Sequence, residues 1–305
     1  MEPVVDIRGL TRLFRRTLAL DEVTLAVPRG GVFGLVGENG AGKTTLIRHV
    51  LGLLRAQAGT VSVFGLNPVR HPAEVLGRIG VLSEDRDLPS WMRVDELMRY
   101  THSFYPKWDP AYAEQLRGMF DLDPKAVVSS LSQGQVAKAG LLVALAHRPE
   151  FLVLDEPSSG LDPIVRRDIL EAIILTVADE GRTVLFSSHL LDEVERVADR
   201  VAMIHHGKVV LNDTLEDIKE THHRVVVRAA RDRQVVPEIA GAIACHGTGP
   251  EWTVLCRATL DEIKASAARG GGQVVDVATP SLEEIFVGRA GGSQGKKPQI
   301  ETAGV

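Results

Sequence analysis

The chain has 305 residues, long enough for one large or two modest domains with a sizeable core. Its 44% hydrophobic and 25% charged residues are ordinary for a globular protein, and a formal net charge of −5 provides no bulk attraction to nucleic acid. Cys245 and Cys256 match no metal or redox spacing, no apolar run is long enough to span a membrane, and the stretch with Glu2, Asp6 and Arg8 shows no signal-peptide pattern, so a soluble protein of a reducing, cytoplasmic setting is expected.

Residues 4 to 36 read as short strands, VVDIRGL, DEVTLAV and GVFGLV, with a turn at Pro28-Arg29-Gly30. GENGAGKTT follows, fitting Gly-x-x-x-x-Gly-Lys-Thr with Gly37, Gly42, Lys43 and Thr44. Glycines at 37, 40 and 42 permit a tight turn whose backbone N–H groups, with the next helix start, make an anion site. Gly37, Glu38, Asn39, Gly40, Ala41, Gly42, Lys43, Thr44 and Thr45 are therefore the candidate nucleotide-binding set. Lys43 is placed to reach the β- and γ-phosphates and the Thr44 hydroxyl to ligate Mg²⁺. A turn that binds nothing would account for the glycines but not for the Lys-Thr pair. Many unrelated ATPases and GTPases share such a loop, so alone it does not define a function.

A helix is expected from the loop to about residue 54, then strands in TVSVFG and IGVLSE. Between 91 and 147 the pattern turns helical, in VDELMRYTHSFY, DPAYAEQLRGMF and QGQVAKAGLLVALAH, with Asp109-Pro110 as a helix start. Strand and helix then alternate through FLVLDE, DPIVRRDILEAIILTVADE, RTVLFSS, HLLDEVERVA and RVAMIHH. This argues a mainly parallel sheet covered on both faces, with a helical insert at about 88–147. After residue 221 the texture changes. RVVVRAA, WTVLCRA and QVVDVAT read as strands, PEIAGAIA and LDEIKASAARGG as helices, and PSLEEIF opens a last helix with a capping box from Ser281 to Glu284. The expected organisation is an α/β domain at 1–221, a small α+β domain at 222–288 and a disordered tail at 289–305, rich in Gly, Ser, Lys and Gln.

FLVLDE is an apolar strand closing on two acids. Asp155 would hold Mg²⁺ beside Thr44, and Glu156, one residue on, would orient or deprotonate an attacking water. LSQGQ opens a helix on Ser132 and Gly134, a second anion site in one chain, although serine also serves as an ordinary N-cap. With the phosphate loop before it and FLVLDEPSSGLDP after it, this stretch resembles the Leu-Ser-Gly-Gly-Gln signature of the ATP-binding cassette (ABC) family. Gln133 stands in place of the first glycine, while Ser132, Gly134 and Gln135 match.

The resemblance covers residues 4 to about 220 and implies a P-loop ABC ATPase fold: a mainly parallel core, an N-terminal antiparallel β subdomain and the helical insert. It places Phe14 where the family stacks an aromatic residue on adenine, Asp162 at a dimer interface and His189 near the γ-phosphate. Glu84 stands where the family has a glutamine that ligates Mg²⁺ and water. Taken alone, Phe14 is also readable as a core aromatic and His189 as a surface or capping residue. The family mechanism implies Mg²⁺-ATP held between the phosphate loop of one subunit and Ser132 of another, in a homodimer or heterodimer. Residues from Leu88 to Tyr105 would face an integral membrane permease, leaving the chain peripheral on the inner face of the membrane.

FYPKWDPAY, LAHRPEFLVLDEPSSGLDP and PSLEEIF resemble the bacterial drug- and antibiotic-exporter subgroup with separate permeases. The alternative is a soluble ABC-type ATPase acting on ribosomes or in DNA repair. Against it stand a single phosphate loop and the lack of sustained heptads. No nucleic-acid partner is expected.

Overall fold

The computed structural model describes residues 2–229 and 238–292. The chain divides into two compact units, Met1–Asn212 and Asp213–Val305.

The first unit opens with β1 (Val5–Phe14), β2 (Thr17–Val27), β3 (Gly31–Val36), α1 (Lys43–Val50), β4 (Ala58–Val63), α2 (Pro72–Leu76) and β5 (Ile79–Leu82). Next come α3 (Val94–His102), α4 (Pro110–Met119), a 3-10 turn at Val128–Ser130 and α5 (Gln133–Leu145). β6 (Phe151–Leu154), α6 (Pro163–Glu180), β7 (Thr183–Ser188), α7 (Leu191–Val197), β8 (Arg200–His205) and β9 (Lys208–Thr214) follow. β1 pairs antiparallel with β2 and β4 in a three-stranded sheet, and a six-stranded sheet runs in the order β5-β6-β7-β3-β8-β9. β5, β6, β7, β3 and β8 are parallel. This is the α/β cassette architecture, with its antiparallel subdomain at the N-terminal end.

Every residue of β6 and β7 is buried, which is why FLVL and the VLF at the centre of TVLFSS are continuous apolar runs. β1 instead alternates, turning Val5, Ile7 and Leu10 inward. These meet Leu35 of β3, Leu46 and Ile47 of α1, and Phe151 and Val153 of β6 in one core. Each such fully buried side chain contributes about 1.5–3 kcal/mol by transfer from water. The core thereby fixes β3, α1 and β6, the elements flanking the phosphate loop and the paired acids.

Local rules set the helix ends. Asp109 accepts from the Tyr112 N–H at 3.0 Å, with Pro110 in the first turn of α4. Asp162 accepts from the N–H groups of Ile164 and Val165 at 3.0 and 3.1 Å at the start of α6. α1 stops at Val50 rather than near residue 54. Gly52 takes φ 71°, and a β-carbon there would stand 2.5 Å from the Pro68 carbonyl oxygen, so the chain leaves the helix at this close approach.

The second unit contains α8 (Leu215–Thr221), β10 (His222–Ala229), β11 (Ala242–Thr248), β12 (Glu251–Arg257), α9 (Leu260–Arg269), β13 (Gly272–Ala278) and α10 (Leu282–Gly292). The division at Asn212 puts α8 in this unit, ahead of the 221/222 boundary read from composition. Its strands form one antiparallel sheet in the order β11-β12-β10-β13. Val225, Val227, Trp252, Val254 and Cys256 pack there with Ile263 and Ala267 of α9.

One expected helix is corrected. Ala242–Ala244, the end of PEIAGAIA, belong to strand β11, with Ala242 opposite Cys256 and Ala244 opposite Leu255. A short run of small apolar residues suits either state, and pairing with β12 decides it. Residues 230–237, including Pro237, lie outside the described residues. The Ser281–Glu284 capping box is present, with N–H donations of 2.8 and 3.2 Å in the two directions. α10 runs on to Gly292, through residues that composition assigns to a tail. Arg289 anchors it by donating to Nε2 of His222 at 3.0 Å. The rest of the expected tail, 293–305, lies outside the described residues. Among the described residues no helix is long and apolar enough to cross a membrane.

Candidate nucleotide-binding site

β3 ends at Val36, and the chain turns through Gly37–Gly42 into α1. Gly40 and Gly42 take φ 82° and 113°, where a side chain is strained. Space is equally decisive. A β-carbon at Gly37 would stand 2.3 Å from the Ile204 carbonyl oxygen, and one at Gly42 2.5 Å from that of Ala19. No side chain caps α1, so its first N–H groups remain open to an anion.

Beside the loop lies a cleft of about 210 Å³ lined by Thr17, Ala19, Asn39, Gly40, Gly42, Lys43, Thr44, Thr45, Glu84 and Glu156. Lys43 is buried. Its Nζ donates to the carbonyls of Gly37 at 2.6 Å and Glu38 at 3.1 Å and lies 3.0 Å from Oε1 of Glu156. The cation thus sits between the loop's carbonyls and the carboxylate read as the water-positioning group.

Glu156 is held tightly. Its backbone is left-handed, φ 49°, and its N–H donates to the Ser187 hydroxyl at 2.9 Å. Its Oε2 lies 2.8 Å from Nδ1 of His189. A carboxylate only accepts, so Nδ1 carries the proton of that bond. Ser187 also donates to Oδ1 of Asp155 at 2.6 Å, so one buried hydroxyl fixes both acids of the pair. The reading of motifs passed over Ser187. Its signal is modest: two serines closing the strand TVLFSS after its apolar centre.

Thr44, Asp155 and Glu84 offer a hydroxyl and two carboxylates, the hard oxygen donors that suit Mg²⁺. Asp155 is not among the cleft-lining residues. Among the described residues, no group of three His, Cys, Asp or Glu could cage a metal unaided. That fits an ion taking most of its ligands from phosphate and water.

The remaining candidates lie elsewhere. Phe14 is no core aromatic: its ring is exposed at the end of β1, with the Arg12 guanidinium 4.5 Å from its centroid. It pairs with Thr17, which lines the cleft, but does not itself line it. Ser132 caps α5 in a reciprocal box with Gln135, at 3.0 and 3.2 Å. Gly134 is buried, and a β-carbon there would come 2.8 Å from Val165 of α6. Ser132, Gly134, Gln135 and Asp162 do not line the cleft of their own chain.

Motif reading also missed Glu193 of α7, a buried carboxylate. Its Oε2 accepts from Ser158 at 2.5 Å and Ser188 at 3.2 Å, and its Oε1 pairs with Arg166 at 3.2 Å. It joins the loop after Glu156 to the strand end before His189.

A family model described as ABC transporter matches residues 20–159. The chain is 36% identical over 209 residues to the ABC transporter ATP-binding protein NatA of Bacillus subtilis, spanning 67% of this chain and 85% of NatA. It is 30% identical over 226 residues to the bacitracin transport ATP-binding protein BcrA of Bacillus licheniformis, covering 73% and 74%. Among solved structures, an ATP-binding subunit of an ABC transporter superposes with a TM-score of 0.65 at 28% identity, over 71% of this chain and 92% of that one.

Proposed function

The chain belongs to the ABC transporter family as an ATP-binding subunit and ATPase, and from that premise we propose how its residues divide the work and what they drive. The carrying observation is that one cleft joins the phosphate loop, Lys43, Glu84 and Glu156, while the Ser132 cap does not line it. ATP enters with its phosphates on the N–H groups of Gly37–Thr45 and on Lys43. Glu156 orients the attacking water, and His189, bonded to it through Nδ1, holds the carboxylate in place. Thr44, Asp155 and Glu84 would hold Mg²⁺, which would supply positive charge to offset that of the phosphates. Phe14 supplies an aromatic face for the adenine.

Ser132, Gly134, Gln135 and Asp162 serve the ATP of a second subunit, identical or related, docked head to tail. Closure on ATP and reopening after hydrolysis drive a separate membrane permease, which keeps the chain at the inner face of the membrane. The direction is export, and the likeness to a bacitracin transport protein favours a drug or antibiotic cargo.

Glu156→Gln tests the core of this reading. The variant should bind ATP, hydrolyse it at least about a hundred-fold more slowly and accumulate as a dimer seen by light scattering. Near wild-type turnover would remove Glu156 from its role. Co-purification with an integral membrane protein tests the partner.

A further inference from the structure

Arg86 and Glu156 both take φ 49°, a left-handed backbone that side chains disfavour. β5 and β6 are parallel neighbours, with Leu82 opposite Leu154, so both residues follow strands that end at one edge of the sheet. Such backbone strain persists only where the surroundings impose it.

The Arg86 side chain reaches the loop that follows Glu156. Its Nη2 donates to the carbonyl of Ser159 at 2.6 Å and to that of Pro157 at 3.2 Å. Its Nε is buried without a hydrogen-bond partner. Burial pushes the guanidinium pKa down, and the nearby Glu84 carboxylate opposes this. Glycine would suit this backbone better and bury no cation, so the contact outweighs two costs. From the other side, the Ser158 hydroxyl donates to Glu193 at 2.5 Å. The segment 157–159 is otherwise irregular, closed by the Ser159 N–H donating to the Glu156 carbonyl at 3.1 Å.

We propose that Arg86 is a positioning residue for hydrolysis: its grip on the Pro157 and Ser159 carbonyls holds Glu156 in its left-handed conformation and ties it to the loop carrying Glu84. This rests on the role given to Glu156 above.

Arg86→Gly removes the grip while tolerating the backbone, and Arg86→Lys keeps the charge but not the planar fork. Three experiments decide the matter: steady-state kinetics giving kcat and KM for ATP, ATP affinity on a Glu156→Gln background, and hydrogen exchange across 157–162. Arg86→Gly should lower kcat about ten-fold or more and leave KM and affinity within about two-fold. Faster exchange should be confined to 157–162, and Arg86→Lys should fall between. A kcat within about two-fold of wild type overturns the proposal, as does a loss of kcat matched by lost affinity and faster exchange throughout the first unit. If Glu156→Gln turns over normally, the role of Glu156 fails whatever Arg86→Gly does. If that variant is inactive and Arg86→Gly unimpaired, only the Arg86 proposal fails.

Discussion

The Nζ of Lys43 lies 3.0 Å from Oε1 of Glu156, and both side chains are buried at the rim of the phosphate loop. Each charge is the other's compensation, and removing one partner of a buried pair strands the other at a cost on the order of 3–5 kcal/mol. Lys43→Ala should therefore weaken ATP binding and also destabilise the first unit. Adding Glu156→Gln removes the stranded charge, so the double variant should melt above Lys43→Ala while remaining inactive. A thermal melt of the three variants checks this, and a double variant no more stable than Lys43→Ala would mean that the pair is not coupled in solution.

Ser132 caps α5, and neither it nor Asp162 lines the cleft of its own chain. If the site is composite, a Ser132→Arg chain mixed with a Lys43→Ala chain forms dimers with one intact site and one doubly damaged site. Activity in the mixture should exceed that of either parent. Verified mixed dimers without recovery would count against assembly across subunits, unless hydrolysis requires both sites at once.

The mainly parallel sheet and the phosphate loop were legible because they are written locally. Buried parallel strands are continuous apolar runs, as in FLVL, and the loop's glycines answer to backbone φ and to the approach of β2 and β8. Capping at Asp109, Asp162 and Ser281 is likewise a matter of neighbouring residues. Ser187, Arg86 and Glu193 were not legible. Their partners lie far away in sequence, Asp155 for Ser187 and Pro157 for Arg86, so only the folded sheet brings them together. β11 was misread for the same reason, since its partner strand and not its composition makes it a strand.

His222 gives the second unit a pH dependence. It is buried, with its Nδ1 donating to the Ile218 carbonyl at 2.9 Å and its Nε2 accepting from Arg289 at 3.0 Å. Burial, with Arg289 and Arg257 nearby, outweighs the opposing hydrogen bond to the Ile218 carbonyl and the Asp213 charge and brings its pKa down to about 4. The unfolded chain takes up this proton near pH 6.5 while the folded unit resists it. Stability is therefore full above pH 6.5 and lost as pH falls towards 4, at roughly 1.4 kcal/mol per pH unit at most. Hydrogen exchange in α8, β10 and α10 should quicken relative to neutral pH once intrinsic rates are corrected. His222→Gln, which keeps a donor and an acceptor but no titration, should flatten the trend. An equal trend in both proteins would assign it to other groups.

Glu84 lines the cleft with Glu156, and it stands where the resemblance expects an uncharged glutamine. Two carboxylates facing one cleft repel unless a cation lies between them, so the extra charge should favour the metal-bound state. Glu84→Gln removes that charge with little change in shape. The variant should need more Mg²⁺ for half-maximal hydrolysis and still dimerise with ATP. A Mg²⁺ titration at fixed free ATP reads the midpoint directly. The expected shift is upward, by about three- to ten-fold if roughly 0.6–1.4 kcal/mol of metal affinity is lost. An unchanged midpoint would place Glu84 outside the reach of the ion. Its effect would then be limited to the charge it sets beside Arg86, where it favours the guanidinium's charged form.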